Sequence, residues 1–177
     1  MPKVATELTN EQWSLMNALA KASARAARAS ERTGVSLTQV RELATGDMLG
    51  TMICGVHDDG TDIDLSEWSD GVAYAALARE TWLRLTDEGH RWVRNNHANR
   101  TLRAIADRAL TAGRCEIQAV AVPADDEMFA WLAGRRLILM LREDGAEITD
   151  RKPPSRQLFG QALIIRLTTV GTNVVQP

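Results

Sequence analysis

The densest group of chemically capable side chains is His57-Asp58-Asp59-Gly60-Thr61-Asp62-Ile63-Asp64, one imidazole and four carboxylates within eight residues. Oxygen ligands at this density suit a divalent cation. The spacing is not that of an EF-hand, because the glycine falls too early and no Glu closes the loop at its twelfth position. The same residues also read as a solvated hairpin turn, or as an acidic block docked on a basic helix of this chain or of a partner. His90 and His97 are spaced to share a helix face, but no third ligand is spaced for zinc. Cys54 and Cys115 stand singly, which reads as two reduced thiols buried as small hydrophobes. Nucleophile elbows, phosphate-cradling glycine loops, HExxH and zinc-ribbon spacings do not occur. No catalytic residue, metal ligand or cofactor is therefore assigned, and an enzyme built around His57 to Asp64 ranks behind two binding readings.

Those readings start from charge. The net charge is only −2, but it is unevenly distributed. Lys21 to Arg41 holds five bases (Lys21, Arg25, Arg28, Arg32, Arg41) against Glu31 alone. Asp47 to Asp70 holds seven acids and neither Lys nor Arg, and Arg79 to Arg108 holds seven Arg against four acids. The basic, acidic, basic alternation points to patterned contact with a polyanion or a charged protein surface. Lys21, Arg25, Arg28 and Arg32 fall on one side of a helical wheel, opposite Leu15, Met16, Leu19 and Ala26. Arg84, Arg91 and Arg94, with Arg100 and Arg103, could extend the same surface. Guanidinium groups suit forked contacts with phosphate or carboxylate.

These residues must be positioned by the elements around them. Thr9 with Gln12 reads as a capping box and Gly34 as a helix stop, so one helix is expected between them. Its Ala-rich run, Ala18 to Ala29, has side chains small enough for close helix approach, which suggests a homo-oligomer. Ser36 caps a shorter helix, Leu37 to Ala44, closed by Gly46. Thr51 to His57 and Thr61 to Leu65 flank Asp58-Asp59-Gly60 as a hairpin. A helix is expected from Ser66 to about Arg79. Thr81 to Leu85 reads as a strand or as more of that helix. Two further helices follow, one from Thr86 carrying Trp92 and Val93, the other from Arg100 to Ala112, ended by Gly113. Beyond it come a strand from Glu116 to Val122, a helix from Asp125 to Ala133, a hairpin around Asp144-Gly145, a loop at Arg151 to Arg156 and a last strand from Ala162 to Val170. No internal repeat is visible. The expected class is α+β: a helix-rich portion, 1–113, and a smaller β-rich portion, 114–177.

Two fragments, Leu8-Thr9-Asn10-Glu11-Gln12-Trp13 and Trp82-Leu83-Arg84-Leu85-Thr86-Asp87-Glu88-Gly89-His90, resemble winged-helix transcription regulators of the MarR type, over residues 8–94 at most. In that family a phrase similar to the second marks the last wing strand turning into the next helix. The resemblance implies a DNA-binding regulator whose recognition helix is Leu37 to Ala44 or Glu67 to Arg79, with Gln39 and Arg41 able to reach base edges. The family's wing is basic, whereas the corresponding segment here is acidic.

The expected function is thus a DNA-binding transcriptional regulator or accessory protein. It would contact duplex DNA through Lys21, Arg25, Arg28, Arg32, Gln39, Arg41, Arg84, Arg91 and Arg94. The alternative is a protein–protein interaction module using the acidic and basic patches. Without an apolar run long enough to cross a membrane or a secretory signal, a cytoplasmic chain is expected.

Overall fold

The computed structural model describes residues 8–45, 51–67, 78–148 and 163–175. The chain is α+β and divides into two compact units, Met1–Arg94 and Asn95–Pro177. The first contains α1 (Asn10–Lys21), β1 (Ala24–Arg25), α2 (Ala26–Thr33), α3 (Leu37–Thr45), β2 (Ile53–Val56), β3 (Asp62–Ile63) and β4 (Trp82–Leu85). A long helix, α4 (Asp87–Ala112), starts in the first unit and ends in the second. The second adds β5 (Glu116–Gln118), a 3-10 turn (Ala119–Ala121), α5 (Asp126–Gly134), β6 (Ile138–Leu141), β7 (Ile164–Leu167) and α6 (Thr169–Val175).

Local signals hold where expected. Thr9 and Gln12 form the capping box of α1, with Thr9 Oγ1 accepting from the Gln12 amide at 3.2 Å and Gln12 Oε1 from the Thr9 amide at 2.9 Å. Ser36 and Gln39 do the same for α3. Gly34 ends α2 in the left-handed conformation at φ 71° that a Cβ would penalise.

Other expectations fail for tertiary reasons. The single helix to Gly34 is broken: Ala22 is extended at φ −165°, and Ala24 and Arg25 pair with Leu83 and Trp82 of β4. Sheet pairing overrides the helix preference of the alanines, a weak effect per residue. The Ala-rich run is therefore no continuous helix, and Ala26 and Ala29 are buried in the first core instead of offering a face to another copy. The two helices expected between Thr86 and Ala112 are one. The division falls inside it rather than at Gly113, because Ala98, Leu102 and Ile105 pack into the second core. β structure is not confined to the C-terminal portion, since each unit has its own sheet. The expected strand at Glu116 to Val122 shortens to β5 and a 3-10 turn. That expected to Val170 stops at Leu167, where α6 begins after Thr168. The helix expected from Ser66 to Arg79 falls largely outside the described residues, apart from a 3-10 turn at Leu65–Glu67 and helical residues 78–80. The loop at Arg151 to Arg156 and Gly46 also lie outside them.

The two units repeat one another. In each, the last strand lies between two earlier ones: β1-β4-β2-β3 in the first sheet and β5-β7-β6 in the second, with every pairing antiparallel. Leu83 faces Ala24 in the first; Ile165 faces Ile117 in the second. Both hairpins turn on Asp-Gly: Gly60 (φ 85°) and Gly145 (φ 82°) take left-handed positions, and Asp59 and Asp144 each accept at 2.9 Å from the amide two residues on.

The strand-to-helix corner also recurs. Arg84-Leu85-Thr86-Asp87-Glu88-Gly89 matches Arg166-Leu167-Thr168-Thr169-Val170-Gly171 at its Arg, Leu, Thr and Gly. Thr86 Oγ1 donates to the main chain at the foot of β2 (Thr51 O, 2.5 Å) and accepts from the Gly89 amide at 3.1 Å. Thr168 Oγ1 donates to Arg136 O at 2.6 Å and accepts from the Gly171 amide at 3.0 Å. One hydroxyl thus caps a helix and ties it to the neighbouring strand. The first helices match too: Gln12, Leu15, Met16 and Leu19 are buried on α1, and Ala98, Thr101, Leu102 and Ile105 at the same spacing on α4.

Candidate interaction surface

The four cations expected to form one helical stripe do not share a helix. Lys21 ends α1, Arg25 lies in β1, and Arg28 and Arg32 sit a turn apart on the exposed face of α2. Arg25 is fully engaged. Its guanidinium lies 2.7 Å from Asp58 Oδ1, donates to Glu80 O at 2.5 Å and stacks 4.5 Å from the centre of the Trp82 ring. Trp82 Nε1 donates to the same Asp58 oxygen at 2.7 Å. The acidic hairpin therefore docks on a basic residue of its own chain, one of the three readings of His57 to Asp64.

A second clamp ties the same hairpin to β4. Arg84 pairs with Asp62 at 3.2 Å and donates through Nε to Cys54 Sγ at 3.1 Å. Arg91 pairs with Glu88 at 2.5 Å, one turn away on α4. Gln39 is not available to read a base edge, because its amide oxygen caps the Ser36 amide and its nitrogen donates to Thr9 Oγ1 at 3.0 Å. Arg41 is half-buried on α3. Arg94 is exposed on α4, and Arg28, Arg32, Arg94 and Lys21 make no ion pair among the described residues. The cations nearest the hairpin are neutralised by it, while those on α2 remain open to solvent.

Helical-wheel reasoning could not find Asp58 as the partner of Arg25, nor Trp82 as the surface beneath it. The hairpin that brings them together belongs to a distant part of the sequence. Cys54 is half-buried, but Cys115 is exposed rather than buried as expected, and both are free thiols. Among the described residues no three His, Cys, Asp or Glu side chains gather as a metal site. Trp13 and Trp92 pair within the first unit, ring centres 6.5 Å apart.

No family model, curated protein or solved structure matches the chain. No helix of the described residues is long and apolar enough to cross a membrane.

The clamp carries a pH signature. The Trp82 indole N–H and then the Arg25 guanidinium hold the Asp58 carboxyl below its ordinary value of 3.8. Asp59 is lowered by the Thr61 amide and hydroxyl, and Asp64 by Ser66. A carboxyl depressed by folding contributes stability above its unfolded pKa and loses it as pH falls through the folded value. Hairpin amide protection, read by hydrogen exchange at His57 and Thr61, should hold at pH 6 and weaken below about pH 4. Asp58→Asn should flatten much of that fall; an unchanged profile in the variant would assign the effect elsewhere.

Proposed function

We propose that the chain is a protein-binding module built from two units of winged-helix type. The topology supports the second half of that statement. The first unit runs helix, strand, two helices, hairpin and strand, which puts a helix and then a wing-like hairpin ahead of the Leu-Thr phrase, as the resemblance to winged-helix regulators implies. The second unit follows it with a 3-10 turn in place of α2. Leu37–Thr45 then takes the place of the recognition helix, and the hairpin around Gly60 that of the wing.

The observation that carries protein rather than DNA binding is the pairing of Arg25 with Asp58 and of Arg84 with Asp62. A wing that approaches a duplex must offer cations to phosphate, because counterion release supplies most of the affinity. This wing offers carboxylates and holds its nearest guanidinium groups for itself. A second reading, duplex contact through α2, is favoured by the exposed Arg28 and Arg32.

Titration of a labelled duplex by fluorescence anisotropy at low salt separates the two. The protein-binding reading expects no saturation below about 100 µM, the weak end of the usual non-specific range. Tighter binding that falls steeply with salt and is lost in Arg28→Glu/Arg32→Glu would establish the DNA reading instead. A partner recovered with the tagged chain should survive nuclease treatment.

A further inference from the structure

The outer face of the first sheet gathers two cations around one indole. Trp82 and Arg84 alternate along β4 with the buried Leu83 and Leu85, so they share the face turned away from the core. Register places Arg25, Trp82, Val56 and Asp62 in one row across all four strands, with Cys54 and Arg84 in the row beside it. The occupant of this face is a stretch of the same chain. Asp58 and Asp62 of the hairpin take Arg25 and Arg84, and the Trp82 indole N–H adds a bond to Asp58. The face therefore already holds a ligand: two carboxylates four residues apart on one peptide, met by two guanidinium groups and an indole.

The second unit closes the same kind of sheet without that contact. Gln118 stands opposite Ile164 where Arg25 stands opposite Trp82. Arg166, the counterpart of Arg84, pairs with Glu116 of β5 at 3.3 Å rather than with a hairpin. Asp144 of the second hairpin accepts from the Ala146 amide and forms no ion pair among the described residues. Docking of the hairpin is thus no requirement of the fold. In the first unit the hold is also light. Each guanidinium reaches its aspartate through Nη2 alone, not as a two-bond fork. The four side chains are 31–77% exposed, so water competes for both pairs.

We infer that the Arg25–Trp82–Arg84 face is a docking surface for an acidic segment of a partner protein, and that the hairpin is its intramolecular competitor. Two carboxylates of the partner displace Asp58 and Asp62 and take over their contacts. A peptide suits the face better than a phosphate backbone. The hairpin keeps its four aspartates, Asp58, Asp59, Asp62 and Asp64, which repel a dense run of negative charge more than a segment bringing two. Each bond is weak, but the hairpin is tethered and competes at high effective concentration, holding the partner off about tenfold. The inference rests on the protein-binding reading and narrows the partner to one chemistry.

The probe is a short fluorescein-labelled peptide of alternating aspartate and serine, with its lysine–serine counterpart and a labelled duplex as controls, titrated by anisotropy against the full chain. Asp58→Asn/Asp62→Asn, which releases both guanidinium groups from the hairpin, should bind the aspartate peptide about tenfold more tightly than wild type and should ignore the lysine peptide. Adding Arg25→Gln and Arg84→Gln should remove that binding, whereas adding Arg28→Gln, on α2, should leave it. Should the released chain fail to fold, wild type titrated to tenfold higher concentration carries the comparison, its binding lost in Arg25→Gln/Arg84→Gln. Equal affinity in the wild-type and released chains, binding that survives loss of both arginines, or no binding by either chain would overturn the assignment. So would a released chain that prefers the duplex to the peptide, since the face would then be a phosphate site. The protein-binding reading itself stands or falls on the duplex titration of the wild type, so the two failures are distinguishable.

Discussion

Gly89→Ala is expected to destabilise the first unit by about 3 kcal/mol or more, a large loss for one methyl group. A Cβ at this position would clash with the main-chain carbonyl oxygen of Met52 and press on Leu85. The neighbour is backbone, held in place by the Thr86 amide and hydroxyl, so it cannot swing aside as a flexible side chain would. Gly171 meets the carbonyl of Leu137 in the same way, and Gly171→Ala should damage the second unit equally. Gly134 has nothing within 4 Å, and its alanine variant is the control, expected within about 0.5 kcal/mol of wild type. Urea denaturation with hydrogen exchange reads both the size and the place of the loss. A Gly89→Ala chain less than about 1 kcal/mol weaker than wild type would mean that the corner is more pliable than its hydrogen bonds imply.

Leu83→Ala and Ile165→Ala form the second test. Each side chain is fully buried at the centre of a sheet, and they belong to separate cores. Removing a buried Leu or Ile leaves a cavity and costs about 2–5 kcal/mol. Leu83→Ala should lower hydrogen-exchange protection first at Leu15, Met16 and Ile53, and Ile165→Ala first at Leu102, Leu132 and Ile138. Equal losses in both groups from either change would show that the two cores open as one.

What could be read in advance was local. The Thr9–Gln12 box, the Ser36 cap and both Asp-Gly turns are set by residues within a few positions of one another, and each stands where expected. The break after Lys21 was not legible, because what extends Ala24 and Arg25 is a strand near the far end of the first unit. The basic stripe failed for the same reason: a helical wheel carries no record of Asp58 or Asp62. The repeat left a faint trace in the two Arg-Leu-Thr-x-x-Gly phrases, but the intervening spacings change around it.

The strand order has a consequence for how the chain acquires its shape. In both sheets the central strand is the one synthesised last, so β1 and β2, like β5 and β6, have no direct hydrogen-bonding partner in each other. Apart from the small Gly60 and Gly145 turns, neither sheet can nucleate from its early strands; each must wait for a long-range closure, which slows folding relative to helical segments of similar size. Leader fragments ending before Trp82 should therefore collapse around their helices without a sheet, exposing unpaired strand edges until the keystone strand arrives.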